Sequence, residues 1–145
     1  MINTKRLKIL RENSDLTQDE LGKILNVSKY AISKWENGKE IIPLEKLNDY
    51  SNYFNINMDY ILNISNDKKN IMCSNLDKNI IGENLKNIRI KNKLTQRDLA
   101  SILNTTHSAI WAYEKGRVLI LIAFAYQICI NFNISMDALC DKKTL

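Results

Sequence analysis

Apolar residues recur every three or four positions through most of the first 64 residues, a spacing typical of amphipathic α-helices. Polar residues interrupt the spacing often, so each helix is short. The pattern predicts five helices, the first ending near Asn13. Their apolar positions are Leu7 and Leu10; Leu21, Ile24 and Leu25; Ala31, Ile32 and Trp35; Leu44, Leu47 and Tyr50; and the run from Met58 to Leu62.

The residues at the predicted helix ends are of the kinds that satisfy free backbone groups. Thr17 and Glu20 have the form of a capping box, in which Thr17 caps the second helix and Glu20 reaches back. Asn37-Gly38 ends the third helix, with glycine supplying a left-handed residue. Pro43 suits the first turn of the fourth helix. Further N-caps are predicted at Ser28 and Asn57.

The same pattern returns 78 residues further along the chain without a gap, which indicates a duplicated domain. The copies are predicted to span residues 1–64 and 80–145. The segment 65–79 between them is polar and is predicted to be a linker. Identical pairs include Leu16-Thr17-Gln18 with Leu94-Thr95-Gln96, Ile24-Leu25-Asn26 with Ile102-Leu103-Asn104, and Phe54-Asn55-Ile56 with Phe132-Asn133-Ile134.

Composition supports an all-α protein and indicates the cellular compartment in which we expect it. One proline and four glycines among 145 residues favour helices over a turn-rich β fold. The longest apolar run, Val118–Ile130, is shorter than the roughly 20 residues of a membrane span. No secretory signal is recognisable at the start of the chain, so we expect a cytoplasmic protein. The three cysteines are odd in number and lack CxxC spacing, which favours reduced thiols over disulfides or zinc.

The second and third helices are joined by a turn of only two residues, Asn26-Val27, which predicts a helix-turn-helix. Core spacing on the third helix leaves one polar face outward. That face offers hydrogen-bond donors and an aromatic ring, which suit contacts with base edges and phosphates in the major groove. A merely solvated face is the alternative. The outward residues are Lys29, Tyr30, Ser33 and Lys34.

The stretch from Leu16 to Lys39 resembles the helix-turn-helix of the phage repressor/Cro family, also called the XRE family. The likeness covers about residues 3–64 and recurs over 81–140. It implies two tandem five-helix domains of the lambda-repressor-like fold, with double-stranded DNA as partner. It implies base contacts by Lys29, Tyr30 and Lys34, and phosphate contacts by Gln18, Asn37 and Lys39.

The resemblance also implies a salt bridge in each copy. It joins an arginine on the first helix to the glutamate that closes the third helix. The pairs are Arg11 with Glu36 and Arg89 with Glu114. We interpret both as structural, because such a pair fixes the recognition helix against the body and is costly to break on one side.

The second copy keeps this scaffold and changes its outward surface. His107, Ser108, Trp111 and Ala112 stand where the first copy has Lys29, Tyr30, Ser33 and Lys34. An outward tryptophan more often marks a protein interface than a base reader. The single histidine, His107, cannot form a metal site, so no metal or cofactor is expected.

The fourth helix of the second copy lies in the run Val118–Ile130, which is apolar almost all round. A helix of this kind is buried on more than one side. We expect a homodimer seam there, with packing on the first domain or on a different partner as alternatives. The predicted interface residues are Trp111, Phe124, Tyr126 and Ile130.

The formal net charge of +5 is compatible with nucleic acid, and its distribution is uneven. Residues 1–65 hold nine basic and nine acidic side chains, whereas residues 80–145 hold nine basic and five acidic ones. The second domain is therefore expected to touch phosphates while having lost most base readout. Its predicted secondary DNA contacts are Gln96, Arg97, His107, Ser108, Lys115 and Arg117.

Together these features predict a sequence-specific DNA-binding regulator of transcription, which we expect to act as a repressor. The alternative is an interaction protein, such as an antitoxin or a repressor antagonist, that works mainly through the second domain. The sequence offers no nucleophile–base pair and no phosphate-cradling glycine loop, so an enzyme is not expected. No small-molecule ligand is expected either.

Overall fold

The structure is a computed structural model that describes residues 2–145. Over this range the regular structure consists of ten α-helices and one isolated β-bridge, with no extended strand. The chain divides into two compact units: residues up to Ser74 together with Thr144–Leu145, and Asn75–Lys143. The predicted all-α architecture with two helix-turn-helix domains in tandem is confirmed.

The first unit contains the five helices that the apolar spacing predicts. They are α1 (Lys5–Asn13), α2 (Gln18–Leu25), α3 (Lys29–Glu36), α4 (Leu44–Phe54) and α5 (Met58–Ile61). Their apolar stripes meet in one core that includes Leu7, Leu21 and Leu47. The buried hydroxyl of Tyr50 on α4 donates to the backbone carbonyl of Leu7 on α1, and burial raises the pKa of that hydroxyl. α2 packs against both α3 and α4, so α3 rests on the rest of the unit along one side.

The second unit repeats these elements with the same lengths from its second helix onward. They are α6 (Lys78–Lys91), α7 (Gln96–Leu103), α8 (His107–Glu114), α9 (Ile122–Phe132) and α10 (Met136–Leu139). α6 is longer than α1 because Asp77 caps it, accepting from the backbone N–H groups of Asn79 and Ile80. α6 therefore begins inside the segment 65–79 that reads as polar linker.

Most of that segment packs on the first unit through asparagine side chains. The Asn57 amide donates to the Asp67 carbonyl, and its oxygen accepts from the Lys69 N–H. Asn57 stands at the N-cap position of α5 as predicted, but its side chain holds this segment and not the helix end. Asn55 and Asn52 bind the main chain further along, at Ile71 and at Ser74.

Ile71 is the apolar anchor of this docked segment, which comprises residues 65–74. Its side chain is buried, and its backbone forms the β-bridge with Thr144. At the other end, Arg6 donates to the carbonyl of Ser65 and its guanidinium lies 4.0 Å from the centre of the Tyr60 ring. The docked segment thus belongs to the fold of the first unit.

The two copies cap their second helices differently. The Thr17 hydroxyl accepts from the Glu20 N–H, but the structure records no hydrogen bond from the Thr17 N–H to the Glu20 carboxylate. Only half of the predicted capping box therefore forms. In α7 the box is complete, because Thr95 accepts from the Asp98 N–H and Asp98 accepts from the Thr95 N–H. The hydrogen bond from the Thr95 backbone lowers the pKa of Asp98.

This difference gives the second unit an acid-sensitive helix start. Because the pKa of Asp98 is lower in the folded than in the unfolded chain, its contribution to stability is full above about pH 4. It is lost as the pH falls through the folded pKa. We expect Asp98→Ala to lower the thermal midpoint at pH 6. At pH 3 the thermal midpoints of the variant and the wild type should lie closer together. Thermal unfolding monitored by circular dichroism measures both. Glu20→Ala is the matched control and should show no such convergence.

No helix in the described range is long and apolar enough to cross a membrane.

Candidate helix-turn-helix interface

The surface of α3 is set by its cap and by the two side chains that it buries. Ser28 accepts from the Ala31 N–H at 3.2 Å and so starts the helix directly after the turn. Ile32 and Trp35 face the core, which leaves the opposite side of the helix to solvent. Gly38 follows with φ 71°, a left-handed conformation that ends the helix where predicted.

Most of the predicted contact residues are exposed on that opposite side. Tyr30 is 67% exposed, and the Lys29 Nζ lies 5.3 Å from the centre of its ring. Lys34 is also exposed, but its Nζ is paired with the Glu40 carboxylate at 2.8 Å. Sequence reasoning missed this pair, because Glu40 lies beyond the helix end, where helical spacing no longer applies. Lys29 and Tyr30 could therefore contact a ligand directly, whereas Lys34 would first have to give up its ion pair with Glu40.

The remaining predicted contacts frame this face. Ser33 is half-buried, and its hydroxyl accepts from the Asn37 amide at 3.3 Å. Asn37 and Lys39 are exposed just after the helix. Gln18 is half-buried at the start of α2, and its amide donates to Glu36 at 3.0 Å. One of its two amide hydrogens is therefore committed within the protein, and the other remains for a predicted phosphate contact.

The Arg11–Glu36 pair forms a bridge of two hydrogen bonds behind α3. Arg11 donates from Nε to Glu36 Oε1 at 2.5 Å and from Nη2 to Oε2 at 3.0 Å. Its third nitrogen donates to the carbonyl of Leu16, just before α2. The hydrogen bond to Glu36 raises the pKa of Arg11 above its usual value. This arrangement, which we call the brace, ties α1, the start of α2 and the end of α3 together.

The second unit builds the same brace at the same positions. Arg89 donates to Glu114 at 2.7 Å and to the Leu94 carbonyl at 2.9 Å, and Gln96 donates to the other oxygen of Glu114. Both glutamates have side chains that are only 2% exposed. The scaffold behind α8 is therefore the scaffold behind α3.

The outward surface of α8 is different. Trp111 is 40% exposed, and the Arg117 guanidinium lies 5.3 Å from the centre of its ring. His107 and Ser108 are exposed on the first turn. Beside this face, Gln96 lines a polar cleft of about 290 Å³ between α6, α7 and the end of α8. The other residues that line it are Asn79, Glu83, Lys86, Glu114 and Lys115.

The apolar surface of α9 is only partly buried within its own unit. Ile122, Ala125 and Ile128 lie in the core, whereas Leu121 and Ile130 are 59% and 53% exposed. Of the predicted interface residues, Phe124 and Tyr126 are half-buried, and the Phe124 ring lies 6.3 Å from the ring of Tyr113. The exposed apolar residues, which we call the free surface of α9, are Ile130 on the helix and Val118 and Leu121 just before it.

Comparison with known families agrees with this geometry. A profile described as helix-turn-helix matches residues 7–61, and one described as helix-turn-helix domain matches residues 82–145. Each half of the chain thus contains a helix-turn-helix domain. Its two helix-turn-helix domains stand in tandem and are of the XRE type, as the resemblance implies.

Two regulators match parts of the chain. The chain is 41% identical over 58 residues to the HTH-type transcriptional activator BcrR of Enterococcus faecalis. That match covers 40% of this chain and 28% of BcrR, so the chain spans well under half of that relative's length. The crystal structure of the clp gene regulator ClgR from Corynebacterium glutamicum aligns over 44% of this chain and 68% of that chain, with 20% identity and a TM-score of 0.41.

Proposed function

We propose that this protein is a sequence-specific DNA-binding regulator of transcription that reads the major groove with α3. The observation that supports this most directly is the exposed face of α3, where Lys29 and Tyr30 stand free on a helix whose back is fixed by the brace. A helix of about 12 Å or less in diameter fits the major groove, which is about 12 Å wide. The HTH-type relative BcrR, a transcriptional activator, supports the same role.

The proposed contacts divide into two kinds. Lys29, Tyr30 and Lys34 would meet base edges, since lysine donates to guanine O6 and N7 and a tyrosine hydroxyl can bond a base. Gln18, Asn37 and Lys39 would meet the phosphates on either side and so set the depth and register of α3. A regulator of this kind acts by occupying DNA, so we assign it no catalytic step.

Selection of duplexes from a random pool with the full chain tests this proposal. We expect one enriched motif, whose affinity exceeds that of a scrambled duplex by at least about 10³-fold at physiological salt. We call this enriched duplex the operator. A pool that shows no enriched sequence after repeated rounds would contradict sequence-specific reading by α3.

We propose repression as the direction of control, because a protein bound across a promoter excludes polymerase. BcrR is a transcriptional activator, but the match covers only 28% of that protein. In vitro transcription from a template that carries the operator separates the two. A fall in transcript on adding the protein supports repression, and a rise indicates activation.

We further propose that two copies associate through the second unit, along the free surface of α9. The eleven residues of this helix include no charged side chain, and the apolar residues Ile130 on the helix and Leu121 at its N-cap are exposed. A self-complementary apolar face is suited to a twofold dimer. Two first units would then read half-sites about 34 Å apart or a multiple of that distance.

The dimer proposal predicts a change in mass. Leu121→Glu with Ile130→Glu places charges at exposed positions without touching the core, so we expect monomers in light scattering. These two positions test the seam more specifically than Phe124 does, because the Phe124 ring also packs near Tyr113 within its own unit. Ile9→Glu with Ile41→Glu, at exposed positions of the first unit, is the control and should leave the dimer intact. A wild-type chain that is already monomeric at micromolar concentration would refute the seam.

A further inference from the structure

Between Lys86 and Arg117 the second unit carries exposed cations without acidic partners. Within the described part of the chain, none of them has a carboxylate in ion-pair distance. They are Lys86, Lys91, Lys93, Arg97, Lys115 and Arg117. The positive charge of this unit is therefore free to meet an external anion.

The first unit uses its cations differently. Of the seven lysines from Lys5 to Lys46, four are paired with carboxylates, which leaves Lys5, Lys29 and Lys39. The pairs are Lys8 with Glu12, Lys23 with Asp19, Lys34 with Glu40 and Lys46 with Asp49. Since both units share one scaffold, the contrast lies in their surfaces and not in their folds.

Two of the free cations stand directly after α8. Lys115 and Arg117 occupy the positions that Asn37 and Lys39 hold after α3, so this end of the helix gains one positive charge. Lys115 lines the polar cleft together with Lys86 and the amide of Gln96. Charged donors of this kind suit phosphate oxygens.

The acidic residues of the same cleft do not cancel this charge. Glu114 is buried and is bound by Arg89 and Gln96, so its carboxylate is already compensated. Glu83 is the one exposed carboxylate among the residues that line the cleft, against the two lysines Lys86 and Lys115. The cleft therefore keeps a positive balance.

The middle of the α8 face offers fewer hydrogen-bond donors than the middle of the α3 face. Trp111 has a single indole N–H donor, and Ala112 has none in its side chain. The Arg117 guanidinium stacks over the Trp111 ring, so this cation stands beside the helix face and not at its tip. Charge is thus kept at the edges of the face, while donors are lost at its centre.

We propose that the second unit binds the phosphates of duplex DNA without regard to sequence, through Lys115, Arg117 and the neighbouring free cations. It holds the protein on DNA, while α3 of the first unit discriminates between sequences. This inference rests on the proposal that the chain binds DNA, but not on base reading by α3.

Salt dependence measures such contacts directly. Each phosphate neutralised by a cation releases counterions, so the slope of log affinity against log salt changes by about 0.9 per contact. The full chain carrying Lys115→Gln and Arg117→Gln should therefore show a slope shallower by about 2. Between about 50 and 200 mM KCl, its affinity for a random duplex of about 30 base pairs should fall about 12-fold less than that of wild type.

The same variant should weaken operator and random duplex by equal factors, so that their affinity ratio stays within about twofold of wild type. Lys68→Gln with Lys69→Gln is the matched control, since it removes two positive charges from exposed lysines of the docked segment, outside both helix-turn-helix pairs. It should leave the slope unchanged.

Three outcomes would overturn this inference: an unchanged slope in the first variant, an equal change in both variants, or a tenfold or larger fall in the affinity ratio. The last would show that the second unit reads sequence. Failure of the proposed function looks different, because the slope would then fall as expected while no duplex is preferred over another.

Discussion

The full chain carrying Lys29→Ala and Lys34→Ala is expected to lose its preference for the operator while its fold remains intact. Both side chains are exposed on α3, and neither supports the core. A good base contact is worth about 1–3 kcal/mol of discrimination, so removing two should weaken operator binding by at least about 30-fold. Binding to a scrambled duplex should change far less. Fluorescence anisotropy with both duplexes measures the two affinities.

A matched control distinguishes loss of readout from loss of charge. Lys8→Ala with Lys23→Ala also removes two exposed lysines from the first unit, and each of them is held in an i,i+4 ion pair on its own helix. This variant should keep most of the operator preference. Retained operator affinity in the Lys29/Lys34 variant would refute the assignment of α3 as the reading helix, whatever the control shows.

Glu36→Ala is expected to destabilise the first unit strongly, because it leaves the Arg11 guanidinium without its bidentate partner. The Arg11 side chain is 10% exposed, and the Gln18 amide loses the same acceptor. Breaking one side of a buried ion pair costs about 3–5 kcal/mol. For a domain of this size the thermal midpoint should fall by more than about 10 °C in calorimetry. Operator affinity should fall as well, since α3 is no longer fixed.

Two companions make this prediction specific. Arg11→Met with Glu36→Leu should recover most of the lost stability, because replacing both partners with apolar groups leaves no buried charge unpaired. Glu40→Ala removes the partner of Lys34 in an exposed pair and should change stability by about 1 kcal/mol or less. A Glu36→Ala variant that melts like wild type would show that the brace has no structural role.

The helices were predictable because their signals are local. The residues that set the apolar spacing and the helix caps lie within a few positions of one another. The turn at Asn26 and the end of α3 at Gly38 can therefore be predicted without tertiary information. The same locality explains why the cap of α2 was overstated, since Thr17 and Glu20 fit a capping box by type but form only half of it. Whether the Glu20 carboxylate accepts from the Thr17 N–H depends on its rotamer, which the residue types do not specify.

The site was predictable in position but not in its pairing. The outward face of α3 follows from helical spacing, whereas the Lys34–Glu40 pair depends on how the chain folds back after the helix. The apolar composition of α9 indicated that more of its surface is buried than the core of one unit can cover. The structure shows which of its apolar residues are exposed. The sequence could not show this, because a helix that is apolar all round gives no information about which side faces its own core.

The docked segment changes where the first unit should be cut for study on its own. The repeat ends at about residue 64, but the main chain between Asp67 and Ser74 is held by Asn52, Asn55 and Asn57, and Ile71 is buried. A fragment that stops at the repeat boundary would remove the backbone groups that these amides bind and would open an apolar site. One that extends to Ser74 keeps them satisfied. The unit of duplication and the unit of folding are therefore not the same length.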